Sequence, residues 1–143
     1  MLKSLVIKLK KQHRDIEKKI ADISLELKKD EWDYENISKL LFSLKNDIAE
    51  HLKLENEEFY PNFIKILVNS GGSAGGVEGF MKQMDFVLSR INTFFIFFDT
   101  EEKIKCSDKD IFKFEFSRIM SELETRLNVE EYFVYKRALN YEV

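Results

Sequence analysis

The sequence predicts an all-α fold, an up-down-up-down antiparallel four-helix bundle. Three observations carry this. Apolar residues recur at alternating gaps of four and three along four long segments. The chain holds one proline and five glycines, and all five glycines fall between Gly71 and Gly79. Long helices can therefore run unbroken on either side of one flexible joint. The connections are also short enough for antiparallel neighbours.

The first helix is expected over residues 2–28. Its stripe is Leu2, Val6, Leu9, His13, Ile16, Ile20, Ile23 and Leu27, with His13 as its one polar member. The second is expected over 34–69, opening at Asp33 or Asn36, both good N-caps. Its stripe is Ile37, Leu41, Leu44, Ile48, His51, Glu55, Phe59 and Phe63. Pro61 falls inside this pattern and should kink or restart the helix, because it lacks a backbone donor. The tract Gly71-Gly72-Ser73-Ala74-Gly75-Gly76 reads as a flexible connection. It is no phosphate loop, since no Gly-Lys-Ser/Thr follows. The third helix is expected over 77–98, with Val77, Phe80, Met84, Val87, Ile91, Phe95 and Phe98 facing inward. Residues 99–108 read as a loop, and Ser107 with Asp110 resembles a capping box. The fourth helix is expected over 109–139, with the stripe Phe112, Phe116, Ile119, Leu123, Arg126, Glu130, Phe133 and Arg137.

A length of 143 residues fits one domain with a real core, here 1–143. The net charge of -3 gives no reason to expect nucleic acid or an anionic membrane as partner. No stretch is long and apolar enough to span a bilayer. Cys106 is the only cysteine, which excludes an intrachain disulfide and favours a reducing, cytoplasmic setting. The run Phe94-Phe95-Ile96-Phe97-Phe98 is apolar all round. Phe95 and Phe98 fit the core. Phe94, Ile96 and Phe97 either cap its end or form a homodimer or partner surface. There is no nucleophile elbow and no zinc-protease helix, and no enzymatic activity is expected.

The informative feature is polar. His51 and Glu55 lie four residues apart and share a helix face, and that face continues an apolar stripe. Buried ionisable groups are costly unless paired, hydrogen-bonded or ligating a metal. His13, His51 with Glu55, Met84, and Arg126 with Glu130 all interrupt their stripes at depths that can meet in one layer. Bundle cores build metal sites from side chains projected in this way. The second and fourth helices also look related. Aligning Glu130–Tyr135 under Glu55–Tyr60 places Arg126 under His51, and Lys11-Gln12-His13 likewise matches Lys82-Gln83-Met84.

These residues resemble the hemerythrin-like (HHE cation-binding) domain over nearly the whole chain. The resemblance rests on His13, on His51-Leu-Lys-Leu-Glu55 followed by Phe59-Tyr60-Pro61, and on Glu130-Glu131 followed by Val134-Tyr135. It implies a four-helix bundle around a non-haem di-iron centre, with oxygen binding, oxygen or redox sensing, or iron storage or repair as activities. It carries His13, His51, Glu55 and Glu130 over as metal ligands. Met84 and Arg126 stand where the third and fourth helices of the family give His. Methionine sulfur is a poor ligand for ferric iron, and a guanidinium cannot ligate. Two readings follow. In one, a sensing or binding protein holds at most one metal, completed by Met84 or water, with Asp85 or Gln83 substituting if that helix is rotated. In the other, no metal binds. Arg126 then fills the vacancy, pairs with the carboxylates, and the bundle serves as a protein-interaction module.

Overall fold

The computed structural model describes residues 1–141. Its regular elements are all helical, with no strand among the described residues. Helix α1 (Leu2–Leu27) buries all eight residues of its expected stripe, His13 included. Helix α2 (Tyr34–Leu54) opens at Asp33, whose carboxylate accepts the Asn36 N–H at 3.0 Å. Asp33 rather than Asn36 is thus the cap.

The rod does not stop at Leu54. It passes through one π-helical turn, Glu55–Phe59, into α3 (Tyr60–Asn69). Pro61 restarts the helix as expected, lying in the first turn of α3, where a missing N–H costs least. The rod ends at Gly71, which takes φ +80°. There the Gly72 N–H donates to the Leu67 carbonyl at 2.9 Å and the Gly71 N–H to Val68 at 3.1 Å. That closing pattern needs a left-handed residue.

Helix α4 (Gly75–Phe97) follows. The segment expected as a loop holds a short helix, α5 (Glu101–Lys105), capped by Thr100. Helix α6 (Lys109–Val129) is capped by Asp108 and not by Ser107. The Asp108 carboxylate accepts two N–H groups, from Asp110 and Ile111, while the Ser107 hydroxyl donates backwards to Ile104. A second π-helical turn, Glu130–Tyr135, leads into α7 (Lys136–Leu139).

Helix α1 packs on α2 and also touches α6 and α7. Helix α4 packs on α6, and α5 lies against α2. The four rods form the antiparallel bundle the periodicity predicts. One end is closed by aromatic rings: Trp32 meets Phe112 edge-on, and Phe94 contacts Phe98, Phe112 and Phe116. Phe94 is thus core and not partner surface, whereas Ile96 and Phe97 are about two-thirds exposed.

The fourth rod departs from its expected stripe. Beyond Leu123 the buried positions are Leu127, Glu130, Val134, Tyr135 and Ala138. Arg126 is half-buried and Phe133 exposed. Two registers share Leu123 and Glu130. The observed one buries Leu127 and Val134 in place of Arg126 and Phe133, and so spares the core a guanidinium.

Candidate metal centre

The polar layer forms. His13, His51, Glu55 and Glu130 are the four buried polar or charged residues among those described, none more than 2 % exposed. One ligand atom from each lies within 4.8 Å of the other three. His13 Nε2 is 3.0 Å from His51 Nε2 and 3.0 Å from Glu130 Oε1. His51 Nε2 is 2.5 Å from Glu55 Oε1 and 3.7 Å from Glu130 Oε1. Three rods supply these groups: α1, the α2–π junction and the second π turn.

The outer nitrogens fix the direction of the rings. His13 Nδ1 faces Glu131 Oε2 at 3.1 Å, and Glu131 is held in turn by Arg14. His51 Nδ1 faces Gln12 Oε1 at 2.8 Å. Both partners are acceptors, so each Nδ1 donates, and each ring, once neutral, turns the lone pair of Nε2 inward. This is the tautomer that metal ligation requires. Inward lone pairs beside two carboxylates repel unless positive charge lies between them. Protons or a metal ion can supply that charge.

The spacing suits an ion. At a metal–ligand distance of about 2.1 Å, two ligands stand about 3.0 Å apart at a right angle and about 3.4 Å apart at the tetrahedral angle. The two 3.0 Å separations match. The 2.5 Å His51–Glu55 contact is shorter than either. Two imidazoles and two carboxylates form a mixed nitrogen–oxygen set suited to iron, copper or zinc.

Proton affinities point the same way. Burial alone lowers the pKa of the His51 imidazole, but hydrogen bonds and charge from Glu130 and Glu55 outweigh it and raise it to about 9. Burial, reinforced by the Glu130 charge, pushes Glu55 up to about 8. Glu130 is the opposite case. Burial would raise its pKa, but hydrogen bonds with Glu55, His13 and His51 hold it well below the usual carboxylate range. The cluster therefore keeps protons at neutral pH that a cation would replace.

Two tyrosines complete the layer, and helix periodicity assigns them no role. Tyr60 donates to Glu130 Oε2 at 2.5 Å. Tyr135 donates to Glu130 Oε1 at 2.9 Å and lies 3.3 Å from His13 Nε2 and 3.4 Å from Glu55 Oε2. Burial, then the Glu130 and Glu55 charges, raise both phenols above the ordinary tyrosine range. The signal was present in the sequence. Glu55 and Tyr60, like Glu130 and Tyr135, are five residues apart. On an α-helix that spacing leaves two side chains about 140° apart. A π turn repeats at i+5 and brings them round to one face, and both pairs straddle a π turn.

The expected replacements are elsewhere. Arg126 does not enter the layer; its guanidinium donates to Gln83 Oε1 at 2.7 Å. This overturns the arrangement in which Arg126 substitutes for the metal, because the rod turns Leu127 inward instead. Met84 is buried on α4, and that helix adds no His, Cys, Asp or Glu to the cluster. Gln83 and Asp85 are exposed, so neither substitutes. The internal likeness survives in one respect. Gln12 bonds His51 across one helix pair, and Gln83 bonds Arg126 at the matching place in the other.

Neither the curated proteins nor the solved structures that were compared gave a match to this chain. A family model does match, covering residues 4–139 and hence all four rods and every residue of the buried layer. The chain belongs to the hemerythrin family, as a hemerythrin HHE cation-binding domain.

Proposed function

We propose that this domain binds a single non-haem iron ion through His13, His51, Glu55 and Glu130, and acts as a binding or sensing protein rather than an enzyme. The carrying observation is the pair of inward-turned imidazoles, each anchored at Nδ1 by an acceptor and aimed at two buried carboxylates. One ion is the natural load, because Arg126 faces Gln83 and position 126 supplies no ligand. Bound there, iron would supply a one-electron couple. Gln12 and Glu131 orient the imidazoles, and Tyr60 holds the outer oxygen of Glu130. Near-complete burial keeps the four side chains away from bulk solvent. A reducing, cytoplasmic setting suits such a centre.

The test is anaerobic loading with ferrous iron, removal of the excess, and elemental analysis of the protein and its His51→Ala variant. The expected result is one iron per chain, lost in the variant, with a melting temperature that rises on loading and falls with chelator. A protein that retains no iron and melts identically with iron or chelator refutes the proposal.

A further inference from the structure

We infer that Tyr135 is a fifth ligating residue of this centre, its phenolate oxygen bonding the ion when the iron is ferric. The inference rests on the iron-binding reading above and is tested separately from it.

Position is the first support. Tyr135 Oη lies 2.9 Å, 3.3 Å and 3.4 Å from atoms of Glu130, His13 and Glu55. Those separations match the spacing between donors that share one ion, the criterion met by the two 3.0 Å contacts of the imidazoles. Tyr60 differs, since its hydroxyl is engaged with the other, outer oxygen of Glu130.

Rigidity is the second. The Tyr135 ring is fully buried. It stacks on His13 at 5.4 Å with planes 28° apart and meets Phe59 edge-on at 5.2 Å. The oxygen is therefore held in place before any ion arrives.

Charge is the third. Two carboxylates and one phenolate carry three negative charges, and the two imidazoles are neutral ligands. That sum cancels a ferric ion, and uncompensated charge is costly in a site this buried. Phenolate is also an established donor to protein-bound iron. In the step itself the phenol O–H bond breaks, an oxygen–iron bond forms, and the proton leaves to solvent. No electron changes hands.

The experiment uses the full chain loaded with iron and oxidised to the ferric state. Visible absorption and resonance Raman spectra are recorded for the parent, Tyr135→Phe and Tyr60→Phe, with iron content measured for each. Expected are a phenolate-to-ferric charge-transfer band and enhanced phenolate ring modes in the parent and in Tyr60→Phe, both absent from Tyr135→Phe. A parent with stoichiometric ferric iron and no such band overturns the inference, as does a band that survives in Tyr135→Phe. Absence of bound iron would instead refute the reading beneath it. Should Tyr135→Phe fail to fold, the parent spectrum still decides, because the enhanced ring modes appear only if a tyrosine binds the ion, and Tyr60→Phe shows whether that tyrosine is Tyr60.

Discussion

Raising the pH of the metal-free protein from 6.5 to 8 is expected to destabilise it steeply. Folded His51 keeps its proton up to about 9, whereas the unfolded side chain loses it near 6.5. Folded Glu55 keeps its proton up to about 8, against 4.5 when unfolded. Both folded pKa values are raised, so both contributions are complete at low pH and are lost as the pH climbs. Between 6.5 and 8 the native state holds up to two protons that the unfolded chain has released. Each is worth about 1.4 kcal/mol per pH unit, giving an upper limit of about 2.7 kcal/mol per unit. Glu130 has the opposite sign. Its folded pKa is depressed, so its contribution is complete above 4.5 and lost only as the pH falls further. A dication must displace the same two protons, so its affinity should rise with pH across this window. Urea unfolding of chelator-treated protein at several pH values measures the first effect. Calorimetric titration of metal in buffers of different ionisation enthalpy counts the protons. Stability that is flat or increasing from pH 6.5 to 8, or release of less than one proton on binding, would refute the reasoning.

Other perturbations test separate parts of the layer. Gln12→Leu removes the acceptor on His51 Nδ1. It should lower metal affinity about 10- to 100-fold, read by competition with a chelator of known affinity. Arg126→His should leave metal stoichiometry unchanged, because position 126 faces Gln83 outside the cluster; elemental analysis showing a second ion would contradict that placement. Phe59→Ala opens a cavity beside the Tyr60, Phe63 and Tyr135 rings. It should cost about 3–5 kcal/mol in denaturant unfolding.

The sequence made the first three rods readable for a simple reason. Their apolar residues define one register each, and the structure buries those residues with few exceptions. The fourth rod offered two registers that share Leu123 and Glu130, and periodicity alone could not choose between Arg126 and Leu127. The cost of burying a guanidinium does choose. The π turns were harder to see, because they arise where two stretches of helix meet out of phase, and helix periodicity assumes a constant phase. Tyr60 and Tyr135 went unassigned for the same reason: at five residues from Glu55 and Glu130 they look misplaced on an α-helix. Glu131 and Gln12 were hidden differently. They act through single hydrogen bonds between rods, and such contacts need the rods placed before they can be read.

The central claim is that one iron sits among the two imidazoles and the oxygen donors. X-ray absorption spectroscopy at the iron edge of the loaded protein tests it most directly. The account predicts a mixed nitrogen–oxygen shell with the multiple-scattering pattern of two imidazoles and no iron–iron vector. A shell without imidazole, or a second iron at about 3.5–4 Å, would contradict it.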